Sequence, residues 1–200
     1  MSKVKAELVA QGPREVSKRS STSGIHGSAI SNVALALAAL AILATAAFAQ
    51  DKYLLTSPGG IAFADFRGYE DWSDVSSART DEVLKVIVAN PAMINAYKSG
   101  SPTNGQFFPE GSRIVKLQWK QKKSTEAPFA VEVPDFFKQA FVMEKDSKRF
   151  PKTGGWGYAV FNYDVATDKF TADPAPADCG NTCHVAVKSK DYIFHPYQKR

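Results

Sequence analysis

The first regular apolar pattern of the chain lies at Val83–Ala89, where the sequence VLKVIVA is short and rich in β-branched side chains. A run of this kind, bounded by charged or turn-forming residues, predicts a β-strand. Asn90 and Pro91 follow as the N-cap and first residue of a helix, and Gly100 stands where a C-terminal cap belongs. The apolar residues of this helix share one face: Met93, Ile94 and Tyr97. We therefore predict a strand followed by a short helix that packs on the sheet.

Residues 113–120 (RIVKLQWK) alternate with a period of two, as expected for a strand with two different faces. One face carries Val115, Leu117 and Trp119, and the other carries Ile114, Lys116 and Gln118. Residues 139–144 and 155–163 predict two further aromatic-rich strands. The sum is a mainly β (α+β) fold, with a small antiparallel sheet and one or two short helices. Residues 50–82 show little usable pattern, and residues 164–178 read as a connector to a C-terminal segment.

The N-terminal 49 residues have the organisation of a secretory signal peptide. Basic residues precede a segment, residues 28–50, that contains no charge, and the small residues Ala47 and Ala49 flank Phe48. We expect cleavage after Ala49, general secretion and a periplasmic location, which leaves one domain at residues 50–200. The alternative is an uncleaved membrane anchor, since the uncharged segment is just long enough to span a bilayer.

Composition and charge argue against a collagen-like, wholly disordered or multi-span membrane protein, and against a nucleic-acid-binding protein. Hydrophobic residues make up 44% of the chain and charged residues 22%, values of an ordinary globular protein. The net charge is +5, but five basic and two acidic residues lie in the first 49, so the remaining chain carries only +2. This small charge, without a basic stripe along a helix, does not support nucleic-acid binding.

The candidate chemistry is concentrated at Cys179, Cys183 and His184, in the sequence CGNTCH. On a helix, positions i and i+4 share a face, so both sulfurs can reach the two vinyl carbons along one edge of a haem while the imidazole turns toward the iron. The usual attachment motif is C-x-x-C-H, and one additional residue intervenes here. Alternatives are a disulfide, the ordinary state of two cysteines in an exported protein, a zinc site completed by His195, and a redox dithiol.

A succession of motifs resembles the cytochrome P-460 family, which is related to the β-sheet type of cytochrome c-prime. The motifs are RIVK, EKDSKRFP (residues 144–151), GGWGYAVF (residues 154–161), the Cys-Cys-His cluster and KDYIFHPYQKR (residues 190–200). The resemblance implies a predominantly β fold, often a homodimer, that holds one c-type haem (haem c, with its iron) per chain. It assigns Cys179 and Cys183 to the thioether bonds, in a C-terminal haem-attachment segment, and His184 to the axial iron ligand opposite an open distal side.

Lys116 points away from the Val115 face of its strand, so it faces either water or a ligand. A solvated strand lysine is the simpler interpretation of the pattern alone. In the resembling family, however, a lysine on the strand that matches RIVK is bonded covalently to the porphyrin edge, and Lys116 falls at that place. Burial against a haem would favour the neutral amine that such a bond requires.

An open iron site needs apolar walls on its distal side. Three phenylalanines are candidates by their order along the chain: Phe136, Phe137 and Phe141, of which Phe141 is assigned to cofactor binding. A sixth protein ligand, which would make the protein an electron carrier, would come from one of three residues: Met93, Met143 or His195. Glu132 and Glu144 are the nearest acidic residues that could serve as a general base.

Three functional hypotheses follow, the first two from the resemblance and the third from the two cysteines alone. The first is an oxidoreductase that oxidises hydroxylamine, or a related small nitrogen compound, and passes electrons to a soluble acceptor. The second is a cytochrome c-prime-like protein that binds nitric oxide without turnover. The third is a haemless β domain closed by a disulfide between Cys179 and Cys183.

Overall fold

The structure is a computed structural model of the 200-residue chain and describes residues 51–103, 105–175 and 178–198. The expected signal peptide, residues 1–49, and its cleavage site lie outside the described residues. Within the described part of the chain, no helix combines the length and apolar character needed to cross a bilayer.

Six antiparallel strands form one sheet in which each strand pairs with the next along the chain. They are β1 (Ser73–Arg79), β2 (Val83–Ala89), β3 (Arg113–Lys123), β4 (Glu132–Lys145), β5 (Trp156–Asp164) and β6 (Lys169–Ala172). Because each connection joins neighbouring antiparallel strands, the sheet is a meander. The prediction of a mainly β fold built on a small antiparallel sheet is confirmed.

In the described residues, two short α-helices accompany the sheet, α1 (Pro91–Lys98) and α2 (Cys179–Thr182). Helix α1 begins as predicted, since the Asn90 side chain accepts a hydrogen bond from the Met93 amide at 3.1 Å. It ends before Gly100, which has a φ of 102°. Such a left-handed conformation favours glycine after a helix. The other helical segments in the described ranges are 3-10 turns: Asp51–Leu54, Phe63–Phe66, Tyr69–Asp71, Pro151–Thr153 and His184–Lys190.

The sheet separates two apolar layers. We call the side covered by α1 and the C-terminal segment the helix face; its core includes Ile87, Met93, Ile114, Met143, Trp156, Tyr158 and Ile193. We call the opposite side the aromatic face; its core includes Ile61, Phe63, Phe66, Tyr69, Val115, Val142 and Phe161. Alternate residues of each central strand therefore enter different cores, as the period-two pattern of β3 predicted.

The structure corrects the sequence analysis at both edges of the sheet. Strand β1 lies in residues 50–82, and β6 lies inside the segment predicted to be a connector. An edge strand pairs on one side only and is half exposed, so its apolar pattern is weak. Strand β4 also begins earlier than predicted, at Glu132, because it follows the long strand β3 through register shifts near Trp119.

Candidate functional site

A cavity of about 330 Å³ lies on the helix face, a volume within the range of small-molecule pockets. Its walls are mainly apolar. Strands β2 to β5 supply the floor, and the C-terminal segment supplies the opposite side. The residues that line it are Ile87, Ile114, Lys116, Phe141, Val142, Met143, Tyr158, Ala159, Cys179, Cys183, His184, Ile193, Phe194 and His195. Residues from five separate segments thus converge on one site.

Lys116 lies on the floor of this cavity, where its backbone pairs with Ile87 on β2 and Phe141 on β4. Its ammonium nitrogen lies 3.9 Å from the centre of the Phe141 ring. Burial lowers the pKa of Lys116, and the positive charge of Lys85 lowers it further. The side chain therefore faces the apolar cavity instead of open water, and burial there disfavours its charged form.

Cys179 and Cys183 both line the cavity because helix α2 forms a single turn between them. The Cys183 amide donates to the Cys179 carbonyl at 3.1 Å, which closes this turn. Both cysteines are free thiols; Cys179 is half-buried and Cys183 is exposed. Burial raises the pKa of Cys179, and the charge of Lys116 opposes this rise. The four-residue spacing thus places two unpaired thiols at one edge of an apolar cavity.

Gly180 allows helix α2 to approach the sheet closely. A Cβ atom at this position would lie 2.6 Å from Cε2 of Tyr158 and 2.7 Å from Cγ2 of Thr153, well inside contact distance. Only a glycine leaves room for both neighbours. The first residue of the three between the cysteines therefore sets how near the thiols lie to β5.

His184 follows the second thiol directly and begins the 3-10 turn His184–Lys190. Its Nδ1 lies 2.6 Å from the backbone carbonyl oxygen of Tyr192. Because a carbonyl oxygen only accepts, Nδ1 must carry the proton, and Nε2 then has the free lone pair. Burial lowers the pKa of His184, although the bond to Tyr192 opposes this. The imidazole is held in the neutral tautomer that binds a metal through Nε2.

Tyr158 on β5 contributes a polar group that has no partner. The residue is 8% exposed, its ring centre lies 5.1 Å from that of His184, and its hydroxyl makes no hydrogen bond among the described residues. Burial raises the pKa of Tyr158, so the phenol stays protonated. A buried donor without a partner is costly. Its position in the cavity lining suits it to donate to a bound group.

Several residues proposed from the sequence lie elsewhere. Phe137 packs against Trp119 on the aromatic face, with ring centres 5.5 Å apart, and Phe136 is exposed, so neither forms a wall of the cavity. Met93 is buried in the core of the helix face, away from the lining, whereas Met143 and His195 are among the lining residues. A register shift in the pairing of β3 with β4, between Gln118 and Trp119, explains the difference. Strict alternation would place Phe137 on the same face as Phe141 and Met143, and the extra residue in β4 turns it to the other face.

The two acidic candidates for a general base also lie outside the cavity. Glu132 is paired with Arg79 at the start of β4. Glu144 accepts hydrogen bonds from Arg113 at 2.7 Å and from Arg149 at 2.9 Å. No carboxylate lines the cavity among the described residues. In the same part of the chain, no three His, Cys, Asp or Glu side chains cluster as metal ligands, so the zinc alternative has no support.

Sequence reasoning missed the contribution of Tyr158 and of Ile193 and Phe194. The ring of Phe194 packs edge-on against His184, with centres 4.8 Å apart, and Ile193 is buried. Tyr158 lies two residues after Trp156 in β5, so both side chains point to the helix face, and this period of two was the signal that could have placed Tyr158 there. Ile193 and Phe194 had no comparable signal, because they lie in irregular backbone after a 3-10 turn, where apolar residues follow no period.

Residues 66–195 match the model of the family described as Cytochrome P460. These residues contain the whole cavity lining and every strand of the sheet. No curated protein matches the chain.

Proposed function

Because this chain belongs to the cytochrome P460 family and is therefore a haem protein, we propose that its cavity holds one c-type haem per chain. In this proposal, Cys179 and Cys183 would form the two thioether bonds, and His184 would bind the iron through Nε2. The attachment adds each thiol S–H across a vinyl group of the porphyrin, so it consumes no oxidant. The four-residue spacing of the cysteines, with three residues between them, is compatible with this role because α2 supplies a complete helical turn.

One observation carries the proposal: two free thiols, an imidazole with its Nδ1–H already committed, and apolar walls meet in a single cavity. The unpartnered hydroxyl of Tyr158 adds to the fit, since a bound group would supply its missing acceptor. Cys183 and Phe194 are exposed, so a planar group could extend past the enclosed volume toward solvent.

The bound haem would supply an iron coordination site and a route for single electrons. The chain supplies the surroundings. Ile114 and Phe141 exclude water from the cavity floor, and the Tyr192 carbonyl orients His184. Met143 and His195 line the cavity and have side chains of a type that could bind an iron, but no hydrogen bond within the described part of the chain orients either side chain. We therefore propose an open distal position for a small molecule.

Lys116 is our candidate for a covalent bond to the porphyrin edge. The carbon–nitrogen bond would replace one amine N–H and one porphyrin C–H, so it releases two electrons and two protons and needs an oxidant of the peroxide class. Burial and the lowered pKa of Lys116 favour the neutral amine that attacks carbon. The contact with Phe141 holds the nitrogen over the cavity floor.

We propose that the protein oxidises hydroxylamine or a related small nitrogen compound and passes the electrons to a soluble acceptor. Substrate protons must then leave through groups other than carboxylates, since the described lining has none. His195 is exposed and lines the cavity, so its imidazole offers a path to solvent. Export to the periplasm through a cleaved signal, and assembly as a homodimer, belong to the same proposal.

The lack of a carboxylate in the described lining favours a second candidate, binding of nitric oxide without turnover. A neutral diatomic ligand needs no proton acceptor and suits an apolar distal side. The two candidates share the haem and the residues that hold it, and they differ in whether hydroxylamine is consumed.

The mass of the intact exported protein tests attachment. We expect the polypeptide without its first 49 residues plus one haem, and haem that stays with the denatured chain on a gel. The Cys179→Ser/Cys183→Ser variant should lose this covalent haem. A wild-type mass equal to the bare polypeptide, or equal haem retention in the double variant, would contradict attachment.

Turnover then separates the two candidate activities. We expect wild-type protein to oxidise hydroxylamine with a soluble electron acceptor, and Lys116→Ala to lose most of that activity and change its absorption spectrum. Lys122→Ala, an exposed strand lysine, is the matched control and should leave both unchanged. Tight binding of nitric oxide without any hydroxylamine oxidation would favour the second candidate.

A further inference from the structure

Asp191 is the most enclosed acidic side chain near the C-terminal wall of the cavity, at 2% exposure. It accepts three hydrogen bonds from three separate parts of the fold. Its Oδ1 accepts from Lys145 Nζ at 2.6 Å and from the indole nitrogen of Trp156 at 3.1 Å, and its Oδ2 accepts from the Phe108 amide at 2.8 Å. The carboxylate thus ties the segment after the 3-10 turn to β4, to β5 and to the loop before β3.

Stability alone is a weak explanation for this arrangement. Lys145 is also buried, and its remaining bond goes to the Gly154 carbonyl at 2.8 Å. Buried ion pairs often contribute little net stability compared with apolar residues of similar volume, whereas they fix the relative position of the segments they join. Fixing the Asp191 side chain in this way also fixes the backbone at the next residue, Tyr192.

Asp191 and Tyr192 both have a left-handed backbone, with φ of 50° and 63°. This conformation is uncommon for residues with a side chain, and most of all for a bulky one such as tyrosine. The ring of Tyr192 fits over Gly154, where any Cβ atom would collide with it. Together with the three bonds of Asp191, this contact fixes the peptide that follows and aims the Tyr192 carbonyl at His184 Nδ1, 2.6 Å away.

We propose that Asp191 is a positioning residue for His184, acting through the Tyr192 carbonyl. Its carboxylate anchors the left-handed turn, the turn sets the carbonyl, and the carbonyl fixes the tautomer and ring orientation of the imidazole. A hydrogen bond at Nδ1 makes the imidazole a stronger electron donor through Nε2. The inference rests on the proposed function in one respect, that His184 holds the haem iron.

The test compares haem-loaded wild-type protein with Asp191→Asn and Asp191→Ala. The readouts are the iron–histidine stretching frequency of the ferrous protein and the reduction potential, which a purely structural role would not move. We expect Asp191→Ala to lower the frequency and to shift the potential to more positive values. Asp191→Asn keeps one acceptor oxygen and should show smaller shifts in the same directions. Should Asp191→Ala not fold, Asp191→Asn decides by the same readouts.

Glu144→Gln is the matched control. Glu144 is also buried, at 5% exposure, and is held by Arg113 and Arg149, but among the described residues no bond joins it to the His184 turn. This variant should lose stability and keep the wild-type frequency and potential. Unchanged values in the folded Asp191 variants, or equal shifts in Glu144→Gln, would overturn the proposal.

A separate measurement distinguishes failure of this inference from failure of the proposed function. If the wild-type protein carries no haem, the proposed function fails, and ¹⁵N NMR of the His184 ring in the full haem-free chain then decides the role of Asp191. We expect the Nδ1–H tautomer alone in the wild type and a mixture of tautomers in Asp191→Asn. A wild-type tautomer unchanged in Asp191→Asn would contradict the positioning role.

Discussion

The two faces of the sheet are both apolar, but they differ in how their polar groups are paired. On the aromatic face, an open groove near Trp119 and Phe137 includes Glu70 and Asp168. Glu70 is bound by Lys52 at 2.7 Å, and Asp168 accepts from the Tyr163 hydroxyl at 2.6 Å. The helix-face cavity instead contains the Tyr158 hydroxyl without a partner and Lys116 without an ion pair among the described residues.

This difference separates structural aromatic residues from those that serve a site. Phe63 on the aromatic face packs against Phe161 and Phe170, with ring centres 4.6 Å and 5.4 Å away, so other rings of the core cover its surface. Phe141 on the helix face contacts Lys116 and lines open space. Abundance of aromatic residues is therefore no guide to a binding site, whereas an unpartnered buried polar group that lines a cavity, such as the Tyr158 hydroxyl, is one.

The largest expected effect of a single change is on the aromatic face. Phe63→Ala removes a fully buried ring and should lower the free energy of unfolding by about 3–5 kcal/mol, through lost burial and a cavity. Urea unfolding measures the loss, and Phe63→Leu is the milder control. Covalent haem per folded chain should stay at the wild-type value. A selective loss of haem in folded Phe63→Ala would show that the faces are coupled.

Gly180→Ala should have the next largest effect, and it should act on the helix face. The added methyl overlaps Tyr158 and Thr153, so helix α2 must shift outward at a cost of about 1–3 kcal/mol. We expect the yield of covalently attached haem to fall several-fold, measured by absorbance per mass of protein.

Two further variants isolate the cause of that loss. Thr153→Ser removes Cγ2 but keeps the hydroxyl that bonds the Trp156 carbonyl, so it should restore part of the yield in the Gly180→Ala background. Gly59→Ala adds a methyl whose nearest neighbours lie 3.9 Å away and should leave the yield unchanged. If the wild type, Gly180→Ala, Gly180→Ala/Thr153→Ser and Gly59→Ala all gave the same yield of attached haem, the close approach at Gly180 would have no role in attachment.

The smallest effect concerns the pH dependence of stability contributed by Lys116. Its folded pKa is lowered by burial, so the unfolded chain binds more protons between that pKa and the ordinary value of 10.5. The contribution of Lys116 to the free energy of unfolding therefore rises with pH across this window. In the Cys179→Ser/Cys183→Ser background, Lys116→Met should be more stable than its parent near neutral pH, and the gain should shrink toward pH 10.5.

Lys122→Met provides the control for this measurement, since the side chain of Lys122 is 58% exposed. Its unfolding free energy should follow the parent protein at every pH. A constant stability difference between Lys116→Met and the parent across the alkaline range would show that the Lys116 amine is solvated in the folded protein.

Local patterns in the sequence predicted much of the fold and most residues of the candidate site. The β-branched run at Val83–Ala89, the Asn90 cap and the alternation around Lys116 each depend on neighbours within a few residues, so they could be predicted. The same holds for Cys179 and Cys183, whose spacing matches one helical turn. In these cases local geometry and the final structure agree.

The tertiary structure decided what depends on pairing between distant segments. The edge strands β1 and β6 exist because β2 and β5 offer them backbone partners, which a weak local pattern does not reveal. Whether Lys116 meets water or a cavity depended on the segment that covers the helix face. The Asp191 carboxylate meets Lys145 across 46 residues of sequence, and only the folded chain brings those charges together. Contacts of this range carry no periodic signal, because loop closure and strand register set them.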